Sequence, residues 1–374
     1  MREWDTFQLD VSILRGIYAN GFEYASPIQE RAIPMILSGK DVIAQAQSGT
    51  GKTGAFCISA LQLCKPTDVQ QVLILSPTRE LAIQTYEVFK KLAEFTTIRC
   101  QLLIGGTSVE ADIHALKKNP QVMIGCPGRV LDMLSRGHIH KTLTMVVMDE
   151  ADEILSQGFQ TQLQTMFTYI SESAQVVLFS ATIPDTLHEI TNKIMRNPEE
   201  ILVKSDMLTL EGISQFYVSF DNDADKLEAL QDLYEGIAVS QSIIYCNSVK
   251  RVQSLYSAMK EAGYPVCCIH SDMEKSDRTL AYNEFKTGKY RVLISSNVTS
   301  RGIDIQQVSV VINFDIPRCV HNYLHRIGRS GRWGRKGLGI NFITKYDKDM
   351  ILTIEKHYNT QIAELPSNYA TLLK

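Results

Sequence analysis

The chain has 374 residues, of which 44% are hydrophobic and 21% charged, with a formal charge of -3, the composition of a globular protein with room for two domains. No apolar run approaches the ~18 residues of a membrane span, and the start, Met1-Arg2-Glu3-Trp4-Asp5, lacks a signal-peptide pattern, so an intracellular protein without membrane attachment is expected. The eight cysteines show no Cys-x-x-Cys spacing, and even Cys267-Cys268 with His270 reads as buried reduced thiols rather than a metal site or disulfide scaffold.

In chain order, strand-like runs at 42–44, 72–76, 101–104, 122–125, 145–148 and 175–179 alternate with helical stretches at 79–95, 109–117, 130–135 and 184–195. Strands separated by helix-length segments imply βαβ units and a mostly parallel sheet flanked by helices. After a polar seam at 204–212 the pattern restarts, with strands expected at 242–245, 266–269, 292–295, 308–313 and 339–343 and helices at 249–262, 276–286 and 346–358. The expected architecture is therefore α/β, with two tandem domains at 1–206 and 213–374. Their charges differ: residues 1–206 hold 18 basic and 23 acidic groups, whereas 207–374 hold 20 and 18. Within the second part, residues 316–346 carry seven cations and no acid. Such a run is most often a solvated face, and it becomes informative only through its spacing.

The run Ala46-Gln47-Ser48-Gly49-Thr50-Gly51-Lys52-Thr53-Gly54 lies between an expected strand and an expected helix, the setting a phosphate loop requires. Its glycines let backbone N–H groups turn inward around phosphate oxygens, and the helix that follows adds its positive end. Lys52 is placed to reach the β- and γ-phosphates, and the Thr53 hydroxyl to ligate magnesium. About a hundred residues later, the strand at 145–148 ends in Asp149-Glu150. Acids at the carboxyl edge of a parallel sheet lie where such folds bind ligands. Asp149 is expected to hold the magnesium and Glu150 to orient and deprotonate the attacking water. Either motif alone has an ordinary alternative, a glycine-rich turn or two solvated acids. Their combination points to hydrolysis of a nucleoside triphosphate.

Asp149-Glu150-Ala151-Asp152 spells the D-E-A-D signature, and along essentially its whole length the chain resembles the DEAD-box RNA helicases. The resemblance implies two RecA-like domains, ATP and Mg²⁺ as cofactors, and single-stranded or short duplex RNA as partner. It accounts for Ala46, where other phosphate loops begin with glycine. It implies that the Gln29 amide reads the adenine edge, with Phe22 and Tyr24 beside the base. It assigns Lys52, Asp149, Glu150, Arg329 and Arg332 to catalysis, the two arginines as fingers facing the γ-phosphate, with Asp304 and Trp333 also at the nucleotide. RNA contacts are implied for Pro77, Thr78, Arg79, Gly105, Gly106, Pro127, Gly128, Arg129 and Arg278, a set suited to phosphates and sugars rather than base edges. Ser180, Thr182, Asp152 and His325 are implied to couple the domains.

Four positions depart from the family pattern: Cys126 replaces Thr, Lys275 replaces Gln, and Ser296-Asn297 replaces Thr-Asp. Segments 208–213, 335–337 and 358–362 are similar to the initiation factor 4A branch, which works as a bare two-domain core. Ser330 and Thr360-Gln361-Ile362 lean towards its nuclear paralogues, so nucleus or nucleolus is favoured over cytoplasm. The implied function is RNA-dependent ATP hydrolysis that unwinds short duplexes or remodels RNA–protein complexes, in ribosomal RNA processing, mRNA processing or translation initiation. A monomer regulated by proteins that act on domain closure is expected. An ATP-gated RNA clamp that serves as an assembly platform is the rival reading, since both use the same residues.

Overall fold

The computed structural model describes residues 2–46, 49–156, 158–201, 213–236, 241–297, 308–330 and 337–369. The chain divides into two compact units, Met1–Val203 and Lys204–Lys374.

In the first unit a two-stranded antiparallel ribbon, β1 (Arg2–Glu3) and β2 (Tyr24–Ala25), brackets α1 (Val11–Ala19). There follow α2 (Pro27–Leu37), β3 (Val42–Gln45), α3 (Lys52–Leu63), β4 (Val72–Leu75), α4 (Arg79–Leu92), β5 (Cys100–Leu103), α5 (Val109–Leu116), β6 (Val122–Gly125), α6 (Pro127–Ser135), β7 (Met145–Met148), α7 (Ala151–Ser156), α8 (Gln160–Tyr169), β8 (Gln175–Ser180), α9 (Asp185–Ile194) and β9 (Glu199–Ile201). Strands β3 to β9 form one seven-stranded sheet in the order β5-β6-β4-β7-β8-β3-β9, and every pairing in it is parallel.

A parallel sheet needs cover on both faces, because its crossovers lay helices there. The strand sequences meet that need. Met145, Val147, Val72, Ile74, Val42 and Ala44 point into one buried cluster, while their alternate neighbours Val146, Met148, Leu73, Leu75 and Ile43 point into another. The two-residue period of a strand thus divides one continuous apolar run between two cores. After β3 the chain passes over β8 and β7 to lay down β4. It continues the same way to β5 and then turns back through β6, β7 and β8, so the connections leaving the adjacent strands β4 and β7 run in opposite directions, which opens a crevice at the carboxyl edge.

The second unit repeats the plan with β10 (Ile213–Phe220), α10 (Asp225–Gly236), β11 (Gln241–Tyr245), α11 (Val249–Glu261), β12 (Val266–Ile269), α12 (Lys275–Lys286), β13 (Val292–Ser295), β14 (Val308–Asn313), α13 (Val320–Ile327), β15 (Gly337–Thr344), α14 (Lys348–Tyr358) and β16 (Ala363–Glu364). Its sheet runs β12-β13-β11-β14-β15-β10-β16, again with parallel pairings. Ile243 and Tyr245 face one cluster, Ile244 and Cys246 the other. The α/β architecture expected from the sequence is the one observed. Strand β10, which pairs with β15 along all eight of its residues, was not anticipated. Among the described residues no helix is long and apolar enough to cross a membrane.

Candidate functional site

The carboxyl ends of β7, β8 and β3 lie side by side in sheet order. Ala46 extends the β3 ladder by one bond, its N–H donating to the Ser180 carbonyl at 2.9 Å. Gly51 then caps α3 with φ 101°, a left-handed conformation that favours glycine. A Cβ there would also sit 2.7 Å from Ser26 Oγ and 2.8 Å from Gln29 Nε2. Those contacts exist because Gln29 braces the loop from behind. Its Nε2 donates to the Gly51 carbonyl at 3.0 Å, and its Oε1 accepts from the Ser26 N–H at 2.8 Å. The second bond is half of a capping box that starts α2. Among the described residues these bonds use one N–H and one lone pair of the buried Gln29 amide and leave one of each over. Phe22 is half-buried against the core, and Tyr24 is exposed.

Asp149 and Glu150 are each 2% exposed. The Asp149 N–H donates to the Leu75 carbonyl at 2.9 Å, continuing the β7–β4 ladder to its last rung. Glu150 then takes φ 48°, a left-handed conformation that costs a side-chain-bearing residue roughly 1 kcal/mol or more. Its N–H donates back to Asp149 Oδ1 at 3.0 Å, and α7 follows. This kink turns the Glu150 side chain to Lys52, whose Nζ lies 2.9 Å from Glu150 Oε1 with both groups buried. Burial alone would lower the Lys52 pKa, but the Glu150 and Asp149 carboxylates outweigh it and the ammonium is held more firmly than usual. Burial pushes Asp149 up to about 7, against the pull of Lys52. The cluster concentrates charge in a dry pocket, where its partners count for most.

Ser180 and Thr182 tie the end of β8 to the same acidic turn. Ser180 Oγ accepts from the Asp152 N–H at 3.2 Å and donates to the Thr182 carbonyl at 2.7 Å. Thr182 Oγ1 donates to Asp152 Oδ2 at 2.7 Å. Asp152 is therefore a structural anchor within the first unit.

The other half of the edge, at the ends of β5, β6 and β4, carries the residues expected at RNA. Pro77 and Thr78 follow β4. Thr78 caps α4 by accepting from the Leu81 N–H at 3.2 Å, and Arg79 opens that helix. Among the described residues, the buried Ser76 Oγ and Arg79 Nη1 have no hydrogen-bond partner. Gly105 and Gly106 follow β5; Gly106 has φ 88°, and a Cβ on Gly105 would meet nothing within 4 Å. Pro127 opens α6, followed by Gly128 and Arg129. Arg129 pairs with Asp112 of α5, and donates to Thr107 Oγ1 at 3.1 Å and to the Thr107 carbonyl at 2.8 Å. It thus clamps the glycine loop, a role that sequence reasoning missed along with Thr107 and Asp112.

In the second unit His325, Arg326 and Arg329 are all buried, and Arg329 Nε donates to the His325 carbonyl at 3.2 Å. Arg278 is half-buried in α12. A cavity of about 550 Å³ opens at the carboxyl ends of β10, β11, β14 and β15. Much of its charge is paired internally, Arg251 with Asp223 and Asp315 and Lys226 with Asp223. Gln47, Ser48, Asp304, Arg332 and Trp333 lie outside the described residues, as does the Lys275 side chain. Among the described residues no group of His, Cys, Asp and Glu is arranged to hold a metal ion by itself.

Two family patterns match the chain: DEAD/DEAH box helicase over residues 26–190, and helicase conserved C-terminal domain over residues 225–334. The ATP-dependent RNA helicase eIF4A of Chaetomium globosum is 50% identical over 373 residues, covering 99% of this chain and 94% of that protein. This chain belongs to the DEAD-box helicase family. Within the family it is eIF4A-like: the Neurospora crassa protein of that name is 49% identical over 372 residues, with the same coverage. Among solved structures, S. cerevisiae Dbp5 bound to RNA and ADP BeF3 is 36% identical with a TM-score of 0.91, covering 97% of this chain and 95% of that one. Mss116p bound to ssRNA and AMP-PNP is 27% identical with a TM-score of 0.86, covering 98% and 80%. The lean towards nuclear paralogues gains no support from these relatives, which carry the eIF4A name.

Proposed function

We propose that this DEAD-box protein couples ATP hydrolysis to the local opening of short RNA duplexes or the remodelling of RNA–protein complexes. The observation that carries this reading is the shared carboxyl edge of the first sheet. Its β7-β8-β3 half gathers Lys52, Asp149 and Glu150, and its β5-β6-β4 half gathers Thr78, Gly105, Gly106 and Arg129. A nucleotide on one half and an RNA backbone on the other are bound by the same rigid sheet.

The glycine loop and Lys52 hold the phosphates, and Gln29 selects adenine. The donors offered by Thr53 and Asp149, a hydroxyl and a carboxylate, suit a hard cation such as Mg²⁺. Magnesium supplies charge neutralisation at the phosphates. Glu150 positions and deprotonates the water, and Arg329 and Arg332 of the second unit supply cations to the γ-phosphate, a contribution worth about 10³–10⁵ in rate where such fingers act. In this reading residues 1–206 form the ATP-binding domain and residues 213–374 the arginine-finger domain. The protein works inside the cell as a monomer. The eIF4A name of its relatives favours translation initiation over nuclear RNA processing. Dbp5 bound to Gle1 and to Nup159 supports the expectation of protein regulators.

The test is Glu150→Gln. ATP and RNA binding should persist while RNA-stimulated hydrolysis falls by about 10² or more. Normal turnover would remove Glu150 from the role of base, and loss of ATP binding would make it a structural residue.

A further inference from the structure

Arg326, in α13, has no exposed surface and makes five hydrogen bonds. Its Nε donates to Asn297 Oδ1 at 2.8 Å, and Nη2 donates to the same oxygen at 2.6 Å and to Asn247 Oδ1 at 2.8 Å. Nη1 donates to Asn313 Oδ1 at 3.1 Å and to the Asp315 backbone carbonyl at 2.8 Å. A guanidinium has five N–H groups, so every one is used. Each acceptor is a neutral oxygen. The Asp315 carboxylate is directed elsewhere, accepting from Arg251 Nε at 3.1 Å and from the Asn247 N–H at 3.0 Å.

The acceptors sit at the carboxyl ends of three adjacent strands: Asn297 beyond β13, Asn247 beyond β11 and Asn313 closing β14. They are oriented in turn. Asn313 Nδ2 donates to Asn341 Oδ1 of β15 at 2.8 Å, and Asn247 Nδ2 donates to the Ile316 carbonyl at 2.8 Å. The Tyr245 ring lies 5.2 Å beneath the guanidinium. Burial lowers the Arg326 pKa to about 10, so the group stays charged at neutral pH.

We propose that Arg326 is a positioning residue, which locks α13 and the Arg329 that follows it to the strand ends through a cage of asparagines. The proposal rests on the assignment of Arg329 to the phosphates. Arg329 is bound to this anchor through the chain itself, its N–H donating to the Arg326 carbonyl at 3.2 Å. Asn297, which stands where family relatives have Asp, accepts two of the five bonds, so the cage holds by geometry rather than by an ion pair. A lysine at 326 keeps the charge but offers three donors from a single atom. It cannot reach acceptors spread over three strand ends. Small displacements of a charge-stabilising group reduce rate far more than they reduce ground-state binding.

The experiment measures RNA-stimulated ATP hydrolysis by the full chain for Arg326→Lys, with Ile354→Val as a reference. Ile354 is a fully buried core residue of α14 in the same unit. Assays run at a temperature where thermal melts show all proteins folded. Arg326→Lys should lose about tenfold or more in kcat while KM for ATP stays within about twofold, and Ile354→Val should keep its kcat. Asn297→Ala, which leaves Arg326 in place and removes one acceptor, should show the same split to a lesser degree, and stands in if Arg326→Lys does not fold. Equal kcat in the cage variants and the reference would overturn the proposal. So would parallel changes in kcat and KM. Absence of RNA-stimulated hydrolysis in the unsubstituted chain would instead overturn the proposed function.

Discussion

Cys126 occupies the N-cap of α6 with the extended backbone of a cap residue, φ -94° and ψ 148°, yet its side chain makes no cap hydrogen bond. A threonine there can accept from the first turn, and such a cap is worth about 1 kcal/mol. Cys126→Thr should therefore raise stability by about that amount, read as a higher denaturant midpoint with an unchanged slope. A lower midpoint would mean that the thiol packs better than it caps. Burial pushes this thiol from 9.0 up to about 12. The folded state then holds the proton more tightly than the unfolded chain, so the Cys126 contribution to stability is intact below pH 9 and is lost as pH rises towards 12. Alkylation at pH 8 should accordingly be much slower than for an exposed thiol. The departure at 126 was legible in the sequence, but its effect was not, because a cap depends on backbone angles. The arginines teach the same lesson. Arg326 and Arg329 are three letters apart in one basic run, and only their hydrogen-bond partners separate an anchor from a candidate finger.

At the level of elements, α5 and α6 are joined by the Arg129–Asp112 pair, whose side chains are 8% and 7% exposed. Breaking a buried pair leaves an uncompensated charge and costs several kcal/mol. Asp112→Asn should release the clamp on Thr107 and loosen the loop that carries Gly105 and Gly106. The expected result is weaker single-stranded RNA binding, by about tenfold, with ATP affinity unchanged; titrations with fluorescent RNA and with a fluorescent ATP analogue separate the two. Equal RNA affinity would show that the loop needs no clamp. Asp112 escaped sequence analysis because an acid in the first turn of a helix is ordinarily a dipole or solvent-facing residue. The strands that were read correctly are continuous apolar runs such as Met145–Met148, buried on both faces. Strand β10 mixes buried, half-buried and exposed positions and follows the polar seam, so neither periodicity nor an apolar run marked it.

For the molecule as a whole, among the described residues the apolar clusters of the first unit end by Ile201 and those of the second begin at Ile213. Each sheet is covered on both faces by its own helices, which is the condition for independent folding. Chains ending or starting within 204–212 should each unfold in a single cooperative transition by calorimetry. The first should bind ATP and neither should show RNA-stimulated hydrolysis, which would return only in the joined chain. A fragment that melts without cooperativity would mean that its core is incomplete. One further property comes from strand direction. In a parallel sheet all strands end on the same side, so seven strand ends address one surface and the chemistry is confined to it. The opposite edge, where loops such as that bearing exposed Lys141 lead into β7, is released from the chemistry. That edge is where a fluorophore, an affinity tag or an evolving insertion would disturb turnover least.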